Sequence, residues 1–434
     1  MRIRERLSTP AKHVSPVANV EITRLPNGLT VISELVPTVR SVAIGLWVGT
    51  GSRDETKDLA GISHFIEHLV FKGTKKRDYI EISKSLERVG GYLNAFTTKE
   101  NTCFYARVLD ECAEIAVDVL ADLVFNPTFP QKELEKEKDV IVEEIKSVED
   151  TPDEAIYDDF DRYVYGEHPF ALPIAGTEKT VRSFTRKIAL TRLETHYATD
   201  KMILAAAGNI RHDALVRLAE RYIPDSRPTS KRCRAPYSPT VYEPFEKEIA
   251  KPISQAHLLT GLPFERNDEM FYPTILLNMV LGGGMSSRLN LELREKHGLA
   301  YSVFSNFNSG DDVNLFAIYA ATDSNKTAKA RKLIWQELEK ISEKLVGEKE
   351  LELCKAQLKG ALMMSQESMT ARMNHLARDL YYYGRFRSDS EVLERINAVA
   401  PRQIRDLAQS LFDKARFSTL LYLPKKKNAR KPTR

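Results

Sequence analysis

The chain has 434 residues, 42% hydrophobic and 29% charged, with a net charge of +4. That length suits two or three domains, the balance suits a soluble globular protein, and charge so mild and interspersed excludes a dedicated nucleic-acid surface. No run approaches 18 uninterrupted apolar residues, so no membrane span is expected. The four cysteines, Cys103, Cys112, Cys233 and Cys354, lie far apart without a C-x-x-C pair, as expected of thiols in a reducing compartment.

The N-terminus is basic but lacks the apolar stretch of a secretory signal, so residues 1–18 read as a flexible arm. Residues 19–50 alternate apolar and polar around Pro26-Asn27-Gly28, the pattern of a hairpin and strands, with 42–48 as a buried strand. A helix follows within 61–73, a second over 79–89, and a strand over 92–97 after the Gly90-Gly91 turn. Next come a strand over 102–108, a helix over 112–125, an acidic helix over 133–149, a helical stretch near 153–164 and a strand over 202–208. Asp225 to Pro236 is polar and proline-bearing and reads as a linker.

After the linker the pattern restarts. Strands are expected over 256–261, 301–307, 313–321 and 418–423, and helices over 273–281, 328–344 and 349–368. Glu265-Arg266-Asn267-Asp268-Glu269 echoes Gly51-Ser52-Arg53-Asp54-Glu55. The expected fold is therefore α+β, two homologous halves from a duplicated unit of roughly 200 residues, each a largely antiparallel sheet packed with helices. The expected layout is an arm over 1–18, a first half over 19–225, a linker over 226–250, a second half over 251–424 and a solvated basic tail over 425–434.

The chemistry concentrates in His64-Phe65-Ile66-Glu67-His68, an H-x-x-E-H string. On a helix, His64 and His68 stand at i and i+4 and project from one face, with Glu67 beside them. Ile62, Phe65, Ile66, Leu69 and Val70 form an apolar stripe, and Gly73 stands at a capping position. Two neutral imidazoles suit Zn²⁺, and a neighbouring carboxylate suits proton transfer from water. A third protein ligand must come from elsewhere. The acidic helix offers Glu143 and Glu144, both possible on spacing alone, and Glu137 lies two turns before Glu144. By itself that helix reads equally as a solvated surface with i, i+3 pairs such as Glu133–Lys136 and Glu135–Lys138.

H-x-x-E-H followed about 70 residues later by Glu137-Lys138-Asp139-Val140-Ile141-Val142-Glu143-Glu144-Ile145 resembles the pitrilysin and processing-peptidase family of zinc peptidases, the inverzincins. The strings at Leu25–Leu29, Gly49–Glu55, Gly90–Thr97, Glu167–Pro169, Gly282–Leu289 and Leu293–Ser302 extend that resemblance from about residue 20 to 425. The resemblance implies one zinc per chain on His64, His68 and Glu144, with Glu137 orienting a ligand and Glu67 acting as the base. It also implies that Asn94, Ala95 and Phe96 hold an extended peptide and that Arg294 and Tyr301 assist the reacting carbonyl. Hydrolysis of unfolded peptides by a small bacterial, cytoplasmic processing-type enzyme is the expectation, with the mitochondrial matrix as the alternative compartment. The chain should form a homodimer in which Arg294 and Tyr301 of one subunit serve the zinc of the other. The competing expectation is a non-catalytic partner subunit, and the intact motif argues against it. In the second half, residues 274–280 carry no histidine or glutamate, so only the first half can bind zinc this way.

Overall fold

A computed structural model describes residues 3–5, 19–225 and 234–425. The linker residues 226–233, including Cys233, lie outside the described residues, as do the basic tail beyond Lys425 and the N-terminal arm except Ile3–Glu5. The chain divides into two compact units, one of residues 1–146, 172–235 and 360–392, the other of 147–171, 236–359 and 393–434.

The first unit holds a seven-stranded sheet. Its strands are β1 (Ile3–Glu5), β2 (Asn19–Arg24), β3 (Thr30–Leu35), β4 (Ser41–Val48), β5 (Tyr92–Thr97), β6 (Thr102–Leu109) and β7 (Met202–Gly208). Their order is β1-β2-β3-β7-β4-β6-β5, with β3 and β7 parallel and every other pair antiparallel. The second unit holds β8 (Glu246–Lys251), β9 (Ala256–Glu265), β10 (Ala300–Ser309), β11 (Val313–Thr322) and β12 (Ser418–Pro424) in the order β10-β11-β9-β12-β8. Here β8 and β12 are the parallel pair.

Taken from the parallel pair outward, β3-β7-β4-β6-β5 and β8-β12-β9-β11-β10 are one topology used twice. The fold is thus α+β in two matching halves. The echoed strings take up the same role in each, as short 3₁₀ turns at Ser52–Asp54 and Asp268–Met270 between the central strand and the following helix.

Strand β4 shows why its residues form a central strand. Side chains alternate between faces, so Val42, Ile44 and Leu46 enter one core while Ala43 and Trp47 enter another. The first core lies under α1 (Ile62–Leu69) and α3 (Ala113–Phe125), with α2 (Tyr79–Glu87) and α4 (Gln131–Glu149) nearby in the chain. The second core is closed by the helix Met369–Tyr383, whose Met373, Leu376 and Ala377 pack on Ala43 and Trp47. Gly45 makes room for that helix, since a Cβ there would lie 2.6 Å from Met373 Sδ. Arg372 of the helix pairs with the buried Glu34 of β3.

The helix Pro152–Tyr165 plays the same part in the second unit, with Ile156, Phe160 and Val164 against Leu259, Leu315 and Leu420. Each half thus sends the helix after its long helix, α4 or Glu348–Ser365, to the other unit. The helices 178–183, 186–196, 212–222, 369–383, 389–398 and 401–411 and strand β8 were not expected from sequence.

Candidate metal centre

Helix α1 begins at Gly61, whose φ of +92° an L side chain rarely adopts. A Cβ there would lie 2.6 Å from Ala175 O, so the backbone runs too close to its neighbour for any other residue. Ile62, Phe65, Ile66 and Leu69 turn into the first core, and the helix passes through a 3₁₀ turn at Val70–Lys72 to stop at Gly73. The motif face is less open than an amphipathic pattern suggests, because His64 and Glu67 are each only 9% exposed. The cause is β5, which packs across this face: Thr97 Oγ1 donates to Glu67 Oε2 at 2.5 Å.

Helix α4 brings Glu144 opposite the imidazoles. His64 Nε2 lies 3.7 Å from Glu144 Oε1, and His68 Nε2 lies 3.7 Å from Glu144 Oε2. The ligand atoms of His64, His68 and Glu144 all fall within 4.8 Å of one another, the one such group among the described residues. Two atoms bonded to one zinc at roughly 2.0–2.2 Å are at most about 4.4 Å apart, so both carboxylate-to-imidazole spans suit a shared ion, and the two-imidazole, one-carboxylate donor set suits zinc. Glu143 points away, to Lys146 at 2.8 Å. The pairs Lys136–Glu133 and Lys138–Glu135 are also present, so α4 is a solvated ion-pair helix on one side and faces the imidazoles with Glu144 on the other.

Glu137 stands one layer behind. Its Oε1 lies 2.9 Å from His68 Nδ1 and its Oε2 lies 2.7 Å from Lys72 Nζ. In its neutral form, a proton on Nδ1 facing Glu137 would leave His68 a lone pair at Nε2 toward Glu144. His64 has no equivalent support; its Nδ1 is buried without a hydrogen-bond partner among the described residues.

The electrostatics separate the groups. Burial, with His68 nearby, pushes the His64 imidazole down to about 4, which keeps it neutral. Burial also works against charge on His68, but Glu137, Glu67 and Glu144 outweigh it and raise that pKa. Burial raises Glu67, opposed by the Thr97 hydrogen bond and the His68 charge. Glu137 is held below the usual carboxylate range because His68 and Lys72 outweigh its burial.

The remaining sequence candidates fall in two places. Asn94, Ala95 and Phe96 lie on β5, which among the described residues pairs with β6 alone and so forms the edge of its sheet. Asn94 Oδ1 accepts from Ala95 N–H at 2.8 Å, and Asn94 Nδ2 donates to the Tyr92 hydroxyl at 2.7 Å. Phe96 meets Trp47 edge-on at 5.4 Å, on the face opposite Thr97. Arg294 and Tyr301 belong to the second unit, where the guanidinium lies 5.2 Å from the phenol ring centre and Tyr301 is 81% exposed.

Sequence reasoning assigned no role to Thr97, Lys72 or Glu55. Period-2 parity places Thr97 on the same face of β5 as Ala95, but only a contact with α1 shows that this face meets Glu67.

Known proteins agree with this picture. Residues 30–178 match the sequence profile of Insulinase (Peptidase family M16), and residues 183–358 match that of the Peptidase M16 inactive domain. The chain is 41% identical to YmxG, an uncharacterized zinc protease of Bacillus subtilis, over 89% of this chain and 94% of that protein. It is 36% identical to an uncharacterized zinc protease of Streptomyces coelicolor, over 94% and 90% respectively. A protease from Helicobacter pylori shares its fold, with a TM-score of 0.86 and 22% identity over 94% of this chain and 100% of that one. An M16 inactive-domain structure from Pseudomonas fluorescens does so with a TM-score of 0.87 and 20% identity, over 94% and 98%. No helix among the described residues is long and apolar enough to cross a membrane. With its H-x-x-E-H helix inside the segment that matches the insulinase profile, and with zinc-protease relatives along most of its length, this chain belongs to peptidase family M16.

Proposed function

We propose that this protein is a zinc-dependent endopeptidase that cleaves extended, unfolded peptides. The observation that carries this reading is the convergence of His64, His68 and Glu144, with their ligand atoms within 4.8 Å of one another beside the buried Glu67. Zinc on those three side chains would supply Lewis acidity, acidifying water toward neutrality and polarising a peptide carbonyl.

The protein's own groups do the rest. Glu67, with Oε2 held by Thr97, takes the proton of the attacking water on its other oxygen and returns it to the leaving amine. Its raised pKa suits it to both steps. Glu137 keeps His68 in the tautomer that presents Nε2. The free edge of β5 takes the substrate as an added strand by main-chain hydrogen bonds. The Ala95 N–H is then a donor for the peptide once Asn94 Oδ1 releases it. Arg294 and Tyr301 donate to the carbonyl oxygen as charge develops, supplied by the second subunit of a homodimer. Action in the bacterial cytoplasm belongs to the same reading, as does a boundary between the halves inside 226–250, whose last residues belong to β8 rather than to a linker.

The test is direct. The purified chain should contain one zinc by elemental analysis and cleave a quenched, unstructured peptide, and a chelator should stop cleavage reversibly. A zinc-loaded chain without hydrolytic activity would instead support the non-catalytic partner role. For the composite site, mixing Glu67→Gln chains with Arg294→Ala chains should restore activity that neither has alone. An active species that sediments only as a monomer would remove the homodimer.

A further inference from the structure

The start of α1 has no ordinary cap. Helices commonly begin at a Ser, Thr, Asp or Asn whose side chain accepts from the first free N–H groups. Gly61 occupies that position here and has no side chain to offer. None could be added, because a Cβ would lie 2.6 Å from Ala175 O and 2.8 Å from Gly176 Cα. The acceptors come instead from six residues upstream. Glu55 Oε2 accepts from Gly61 N–H at 2.7 Å, and Glu55 Oε1 accepts from Ser63 N–H at 2.8 Å. Glu55 is 1% exposed.

The surroundings of Glu55 are equally built. Arg192, itself buried, donates to Asp54 O at 2.8 Å, to Thr50 Oγ1 at 3.2 Å and to Ser63 Oγ at 3.4 Å. Thr180 Oγ1 donates to Ala60 O at 2.7 Å, fixing the residue before the Gly61 cap position. Burial pushes the Glu55 carboxyl up to about 7 against the opposing charge of Arg192.

We propose that Glu55 is a positioning residue for the metal centre, fixing where α1 starts and how it is turned about its axis so that His64 and His68 face Glu144. This rests on reading those three residues as the ligand set. The link is short: Ser63, held by Glu55, is the residue before His64. Sites of this kind tolerate about 0.5 Å and 10–20° of misplacement, and groups that orient ligands typically cost 10–100-fold in metal affinity when removed. His64 lacks a partner at Nδ1, so its direction depends on the helix itself. Two acceptors clamped to one turn, in a place where no side-chain cap fits, give that helix a defined start.

The experiment compares Glu55→Gln with the parent chain. Zinc affinity is read by competition with a chromophoric chelator, kcat and KM on a quenched peptide, and the thermal midpoint of the metal-free chains by circular dichroism. The expected result is zinc binding weakened about tenfold or more, kcat reduced and KM unchanged, beside a metal-free midpoint lowered by the lost cap. A purely structural residue would lower that midpoint while leaving the zinc affinity of the folded chain intact. Glu55→Gln with parental zinc affinity overturns the proposal. Should that variant not fold, Glu55→Asp, one methylene too short to reach both N–H groups, decides by the same affinity comparison. A parent chain that binds no zinc is a different failure and removes the ligand set itself.

Discussion

The two units use the same five-strand topology, yet the helix after the central strand does opposite things in each. In the first unit α1 stands off β5 far enough for side chains to lie between them, and the strand hydroxyl of Thr97 binds the carboxylate of Glu67. In the second unit the helix Phe271–Gly282 lies flush on β10. A Cβ at Gly282 would be 2.2 Å from Ser305 N, and the strand hydroxyl of Ser305 binds the helix main chain at Asn278 O, 3.0 Å away. One helix–strand interface holds a carboxylate between its elements and the other is closed by backbone packing. The lesson is that two copies of one scaffold differ in the spacing of their backbones as well as in the side chains they carry there. Restoring histidines alone to the second helix should not create a site.

Several measurements sharpen or break this contrast. The largest effect is expected from the ligand helix: Glu144→Ala should release zinc and abolish cleavage, while Glu143→Ala, whose carboxylate faces Lys146, should keep both, as read by elemental analysis and peptide hydrolysis. Equal loss in the two variants would mean that the facing of α4 is wrong. Next, Glu67→Gln should keep its zinc and lower kcat by about 10²–10⁴-fold, the usual contribution of a general acid–base group. Full activity in that variant removes Glu67 as the base. Glu137→Gln should weaken zinc binding about 10–100-fold, because His68 loses the group that holds its proton.

In the second unit, Gly282→Ala should destabilise the fold by about 1–3 kcal/mol through overpacking against β10, measured by urea unfolding. A neutral outcome would show that the helix is not flush with the strand.

The smallest effect concerns pH. In the chelated chain His64 titrates near 4 rather than near 6.5. Between those values the unfolded chain binds a proton that the folded chain does not. Stability therefore falls as pH drops through that window, by about 1.4 kcal/mol per pH unit from this group. His64→Asn should remove that part of the slope, read from urea midpoints at about pH 5 and about pH 7. An unchanged slope would mean that His64 is not buried as a neutral imidazole.

Much of the first unit was legible in the amino-acid sequence. Strands 92–97 and 202–208 fall at the expected residues, and the acidic helix begins two residues before its expected start, because alternation and 3.6-residue periodicity are local properties of the chain. The doubling of the pattern was readable for the same reason. The helices over 178–183 and 186–196 escaped notice because the short apolar sequences there give little periodic signal.

The amino-acid string by itself determined that two imidazoles and a carboxylate share one helical face, since the helix repeat converts spacing into direction. It also showed that a run of strands and helices occurs twice. Spacing left Glu143 and Glu144 open and the resemblance chose Glu144; only the tertiary structure decided that Thr97 braces Glu67, that Glu55 caps α1 from a distance, and that each half gives a helix to the other unit. All of these are contacts between residues remote in the chain, and their partners are chosen by how whole elements pack, which no local pattern encodes.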